Sequence, residues 1–270
     1  MISAQVQISL LITLLAGLST CIGSVAVIIK RNIGDIYLSI SLAFSAGVMV
    51  FVSFNEILPE GKRIMASGYG ANQGPLFAYG LFFLGIILTA FIDKLVPVPQ
   101  NPHELSITRQ QRTLHMDMIR RNKLKRMGLF TAVVIMLHNF PEGIATFMTS
   151  MNDIKLGFPI AIAVALHNIP EGIVVSVPIF YATGSKWRAF KLAAISGLAE
   201  PLGALLTYLI LMPYFSEIMY GAVMSVVAGI MVYISFDELL PSAQEYGEHH
   251  IAIWSLIAGM LAMAISLVII

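Results

Sequence analysis

The chain has 270 residues, 57% of them hydrophobic and 11% charged, with a mean hydropathy of +0.83, the balance of an integral membrane protein. A formal net charge of +1 excludes the basic surplus of a nucleic-acid binder. The single cysteine, Cys21, excludes a disulfide framework and a thiolate metal cluster.

Apolar runs long enough to cross a bilayer predict eight helices, over about Ala4–Ile29, Asp35–Leu58, Pro75–Val96, Met127–Ser150, Phe158–Ala182, Phe190–Met212, Ile218–Leu239 and Ile251–Ile270. The first run has no Lys or Arg before it and is followed by Lys30 and Arg31, so it is expected to span the membrane rather than to be a cleaved signal. Turn residues mark short connections at Asn32-Ile33-Gly34, Ser67-Gly68-Tyr69-Gly70, Met151-Asn152-Asp153 and Thr183-Gly184-Ser185. One linker is long, from Pro97 to Arg126. It opens with Pro97, Pro99 and Pro102, ends in a basic block of Arg120, Arg121, Lys123, Lys125 and Arg126, and is expected to be a solvated, partly helical cytoplasmic loop. With the N-terminus outside, thirteen Lys and Arg residues fall on the cytoplasmic side and only Lys62, Arg63 and Lys155 opposite, as the positive-inside rule requires. Both termini are thus expected to be extracytoplasmic.

Two internal repeats organise the chain. Ala46–Pro59, AGVMVFVSFNEILP, aligns without gaps on Ala228–Pro241, AGIMVYISFDELLP, with nine of fourteen positions identical. Gly17-Leu18 and Gly23 match Gly197-Leu198 and Gly203 at nearly the same offset. Five spans separate the equivalent helices, an odd number, so the two halves are expected to be inverted in the membrane. The fold class read from this is an all-α, eight-helix 3+2+3 inverted-repeat bundle, of the kind transporters use to build midplane sites. It is one transmembrane domain over 1–270. Residues 1–96 form the first three helices, 97–126 the loop, 127–182 a central pair and 183–270 the inverted last three.

The second repeat lies in that central pair: His138-Asn139-Phe140-Pro141-Glu142-Gly143 in the fourth span and His167-Asn168-Ile169-Pro170-Glu171-Gly172 in the fifth. In each copy His and Glu are four residues apart, hence on one helix face and about 6 Å apart along the axis. Pro141 and Pro170 each remove a backbone donor and crowd the carbonyl four residues back, at Leu137 and Leu166. A charge near the bilayer centre costs roughly 2.5–3.5 kcal/mol even on lenient scales. A structural His–Glu pair joining two helices would account for the polarity, but needs neither the duplication nor the flanking Asn and Pro. Glu142, Glu171 and Glu200 lie well within spans with His138 and His167, and no Lys or Arg lies among them, so these carboxylates must bind protons or metal. Imidazole and carboxylate without thiolate suit Zn2+, Fe2+, Mn2+ or Co2+, disfavour Cu(I), and are too rich in nitrogen for a Ca2+ or Mg2+ cage.

These paired His-Asn-x-Pro-Glu-Gly motifs, with Gly197-Leu198-Ala199-Glu200-Pro201 and the Ala-Gly-x-Met repeats, resemble the ZIP (Zrt/Irt-like) family of divalent metal transporters, in particular its bacterial ZupT-like subgroup. The resemblance spans essentially the whole chain. It implies uptake into the cytoplasm of zinc, with iron, manganese, cobalt or cadmium as further cargo, and no prosthetic group. It also implies a two-metal site, with His138, Glu142, His167 and Glu171 around one ion, Asn139, Asn168 and Glu200 completing a second, and the glutamates bridging. Met49 resembles a thioether contact on the outer side of the pathway, although the linker holds only His103 and His115 where many relatives are His-rich.

Other residues stay open between two readings. Met49 and its repeat counterpart Met231 fit packing as well as ligation. Glu56 and Glu238, with neighbouring Asp237, fit interfacial charges as well as pathway ligands. Glu245, Glu248, His249 and His250 read as a solvated loop rather than a metal relay. The competing classes are a membrane-embedded metalloenzyme and a metal-binding receptor. No His-Glu-x-x-His or Gly-x-Ser-x-Gly supports the enzyme, and no Gly-x-x-x-x-Gly-Lys-Ser/Thr supports ATP hydrolysis. Expected partners are divalent metal ions and the lipid bilayer of the cell membrane, with a homodimer left open.

Overall fold

The structure, a computed structural model, describes residues 3–29, 34–95, 109–211 and 216–269. The Asn32-Ile33 turn, Lys30, Arg31 and the proline-rich start of the linker with His103 lie outside the described residues. Every element among the described residues is helical, and eight helical stretches are long and apolar enough to cross a membrane.

The chain runs α1 (Ala4–Ile29), α2 (Asp35–Val52), α3 (Leu58–Tyr69), α4 (Gln73–Leu95), α5 (Arg109–Asn152), α6 (Ile154–Thr183), α7 (Lys186–Gly197), α8 (Ala199–Leu206), α9 (Glu217–Ile234), α10 (Leu240–Tyr246) and α11 (His249–Ile269). Single π-helical turns at Ser53–Ile57 and Ser235–Leu239 join α2 to α3 and α9 to α10. Each precedes a Leu-Pro step. Pro59 and Pro241 cannot donate to the carbonyl four residues back, and the extra residue of a π turn absorbs the mismatch. Ser53 and Ser235 brace the two turns alike, donating to the Met49 carbonyl at 2.7 Å and the Met231 carbonyl at 2.8 Å.

The turn chemistry read from the sequence sets several helix limits. Asp153 caps α6 by accepting from the Lys155 amide at 2.8 Å. Gly184, at φ +66°, ends the same helix in a left-handed conformation. Three limits differ from expectation. Residues 109–126, expected in a partly helical loop, extend α5, the second span continues helically past Leu58 to Tyr69, and the seventh past Leu239 to Tyr246.

The helices form two layers. One comprises α1, α5, α6 and α7–α8; the other α2–α3, α4, α9–α10 and α11. The layers meet chiefly where α2 crosses α6 and α9 crosses α5. The largest cluster of buried apolar side chains draws on Leu42 and Val52 of α2, Ile135 of α5, Val174 of α6 and Ile234 of α9. α4 and α11 are the outermost helices, only 22% and 17% buried over their most apolar windows.

Candidate metal centre

The two His-Asn-x-Pro-Glu-Gly copies sit on α5 and α6, whose helical backbone continues through Pro141 and Pro170. The motif glycines bring a third and fourth helix against them. A Cβ on Gly143 would meet the Glu200 carbonyl of α8, and one on Gly172 the Thr20 carbonyl of α1, so only glycine permits these approaches. One consequence is that Glu200 lies beside the motif pair.

His138, Asn139, Glu142, His167, Asn168, Glu171 and Glu200 are all buried, none more than 4% exposed. Glu142 Oε1 is the meeting point, 2.9 Å from His167 Nε2 and 3.3 Å from His138 Nε2. His138 Nε2 also lies 3.4 Å from Glu171 Oε1. Ligating atoms of His138, Glu142 and His167 lie within 4.8 Å of one another, within reach of one cation. The asparagine amides are oriented by their donors. Asn139 Nδ2 donates to the Ser196 carbonyl at 3.3 Å, while Asn168 Nδ2 donates to the Ala16 carbonyl at 3.1 Å and to Glu200 Oε1.

Acceptors are left over on every side. Asn139 Oδ1, Asn168 Oδ1, Glu142 Oε2, Glu200 Oε2 and both Glu171 oxygens are buried without a hydrogen-bond partner, each a cost of about 1–3 kcal/mol or more if nothing fills the gap. No Lys or Arg is buried among the described residues. Three carboxylates and two imidazoles with no fixed cation form a site that a divalent metal would neutralise and satisfy together.

A cleft of about 500 Å3 reaches this cluster, with Glu142, Thr146, Thr149, Glu56, Tyr220 and Met224 among the residues of its wall. A neighbouring cleft of about 310 Å3 shares Glu60, Arg63 and Thr149 with it and adds Glu217. The approach therefore runs along α5 from the end of the bundle that carries Glu60, Arg63 and Glu217. Glu56 faces this route with its Oε2 buried and unpartnered.

Met49 and Met231 are not among the residues of the cleft wall. Each is 1% exposed and belongs to the main apolar cluster. Asp237 is exposed and Glu238 half-buried, at the opposite end from the cleft, where they gather with Asp93. Thr146 and Thr149 escaped sequence reasoning, although they stand four and seven residues beyond Glu142, the spacing of one helix face. Asp93 escaped it too, as an acid at a span end with no motif around it.

The sequence pattern of the family described as "ZIP Zinc transporter" matches residues 100–267. The protein called zinc transporter ZupT in Streptococcus mutans is 52% identical over 259 residues, 96% of each chain. Its namesakes in Chlorobium chlorochromatii and Lysinibacillus sphaericus are 54% and 48% identical over 258 residues, again 96% of each chain. Identity near one half over 96% of the chain is far more than a shared fold demands, and the chain belongs to the ZIP family.

Proposed function

We propose that this chain is a multi-pass transporter that carries zinc across the cell membrane into the cytoplasm, with iron, manganese, cobalt and cadmium as lesser cargo. It is a transporter rather than an enzyme, as the names of its relatives also indicate. The observation that carries this reading is the buried group of two imidazoles and three carboxylates with unpartnered oxygens, reached by a cleft from one end.

The cargo enters the cleft past Glu60 and Arg63, exchanges water for the Glu56 and Glu142 carboxylates, and settles between His138, His167, Glu142 and Glu171. Asn139, Asn168 and Glu200 hold a second ion, with the glutamates shared. Four ligands of mixed nitrogen and oxygen suit the tetrahedral preference of zinc. Movement follows a metal gradient or the flux of another ion.

The 3+2+3 inverted repeat is part of this reading, and paired backbone contacts support it. Gly47 meets the Leu256 carbonyl and Gly229 the Phe82 carbonyl; Gly85 meets that of Val226 and Gly259 that of Phe44. Each pair is one contact made twice with the halves exchanged. Both termini then lie outside. Ser67→Cys should react with an impermeant thiol reagent in intact cells, and Ser185→Cys only after the cytoplasmic face is opened.

Radiolabelled zinc uptake into vesicles holding only this protein tests the function. The parental chain should fill them, whereas His138→Ala should abolish uptake while leaving folded protein in the membrane, since losing one of four ligands weakens binding steeply. Near-normal uptake by well-expressed His138→Ala would return the cluster to a purely structural role.

A further inference from the structure

The end of the bundle away from the cleft is closed by charge. Arg120, Lys123 and Arg126 recur every third residue on the α5 extension, a spacing that keeps them on neighbouring faces, and each reaches across to the other layer. Arg120 Nη2 lies 2.7 Å from Asp35 Oδ1 at the start of α2, with its guanidinium 5.2 Å from the Tyr181 ring centroid and 4.5 Å from that of Tyr246. The Tyr181 hydroxyl of α6 donates to the same Asp35 oxygen at 2.5 Å. Lys123 pairs with Glu245 of α10. Arg126 does most: Nη2 donates to the Asp93 carboxylate at 2.6 Å and carbonyl at 3.0 Å, and Nη1 lies 3.6 Å from Glu238 Oε1.

Among the described residues, the ion pairs that join the two layers all lie at this end. At the cleft end Arg63 pairs with Glu60 of its own helix instead. The repeat sharpens the contrast. Glu238 occupies the position equivalent to Glu56, whose Oε2 beside the cleft has no partner, so one repeated carboxylate is bare at the open end and held by a cation at the shut end. Burial ranks the pairs. Arg126, Asp93 and Glu238 are 17%, 19% and 12% exposed, whereas Lys123 and Glu245 are about half exposed, where an ion pair contributes little.

We propose that Arg126, supported by Arg120, is a latch that holds the layers together at this end and so keeps the protein in the cleft-open conformation. Asp93 and Glu238 must let go of the guanidinium before cargo can leave there. This rests on the transport reading. A contact made in one conformation and broken in the other biases the equilibrium by its own free energy.

The test is the reactivity of a cysteine in the cleft wall, Thr149→Cys in a Cys21→Ser background, towards an impermeant maleimide in nanodiscs where both faces are open. Arg126→Gln should slow labelling at least threefold, as molecules leave the cleft-open form. Exchanging the charges, Arg126→Asp with Asp93→Arg, should restore at least half of the loss, and Lys123→Gln should stay within twofold of the parent. Labelling of monodisperse Arg126→Gln at or above the parental rate overturns the latch, and so does slowing that the exchange fails to reverse, which would mark general damage. If Arg126→Gln does not fold, Arg120→Gln decides, with twofold slowing expected and an unchanged rate fatal. Zinc uptake by the parental protein separates the two ideas: a parent that carries no zinc sinks the transport reading, while normal uptake with unaltered labelling sinks only the latch.

Discussion

The two His-Asn-x-Pro-Glu-Gly copies share a local sequence and a helical backbone yet occupy different surroundings. The first copy lies against α8, where Gly143 meets the Glu200 backbone; the second lies against α1, where Gly172 meets Thr20. Glu142 accepts from His167 and forms part of the cleft wall. Glu171 makes no hydrogen bond and is fully buried. The second copy also has a tie to the other layer, since Ser45 of α2 donates to the Pro170 carbonyl at 3.0 Å. The residue at the repeat equivalent of Ser45 is Val227, which has no hydroxyl to offer. Duplicated side chains thus become unequal through their neighbours: Glu142 borders the cleft, whereas Glu171 is enclosed.

The largest effect is expected from the carboxylates, with zinc uptake lost in both Glu142→Ala and Glu171→Ala. Stopped-flow binding should distinguish them, because Glu142→Ala alters the cleft wall and should slow zinc arrival as well as weaken retention. Equal arrival rates would mean that the cleft does not discriminate the copies.

Next come the motif glycines. Gly143→Ala and Gly172→Ala would each push a methyl group into a backbone carbonyl, and overpacking of this kind costs about 1–3 kcal/mol. Thermal unfolding in detergent should show both as destabilised, and only Gly143→Ala should also displace Glu200 and lower metal stoichiometry. The third change, Glu200→Gln, should reduce bound zinc from two ions to one with the fold intact, as read by metal analysis of purified protein. A ratio of one in the parental protein would remove the second ion from the picture. The smallest effect is expected from Ser45→Ala, which deletes one neutral hydrogen bond of about 1 kcal/mol and should lower the melting temperature slightly without changing stoichiometry.

Much of the centre is legible in the sequence because its chemistry is local. His138 and Glu142 are four residues apart, and so are His167 and Glu171, and an apolar background makes such residues conspicuous. Glu200 could be singled out for the same reason. What escapes is whatever depends on distant partners. The basic block on α5 reads as solvated because its charges outweigh its apolar residues, and the groups that pair with it, Asp35, Asp93, Glu238 and Glu245, lie far away in sequence. The passage of the second span through Pro59 escapes because a proline after an apolar run signals an end, whereas a π turn lets the helix continue. Met49 illustrates the converse. Its repeat makes it prominent, yet its side chain packs in the apolar cluster and it is Met224 that borders the cleft.

The outermost helices carry a consequence for the lipid itself. α4 has 23 residues and α11 has 21, lengths of about 34 and 31 Å at 1.5 Å per residue, close to the roughly 30 Å of a typical hydrocarbon core. Each touches its inner neighbour without an intervening side chain, α4 through Gly85 on α9 and α11 through Gly259 on α2. A bilayer made thinner or thicker by a change of acyl chain tilts such helices, and contact of backbone on backbone leaves little slack to absorb the tilt. A change in membrane thickness would thereby reach α2 and α9, the two helices that pack on the layer holding the buried His–Glu cluster.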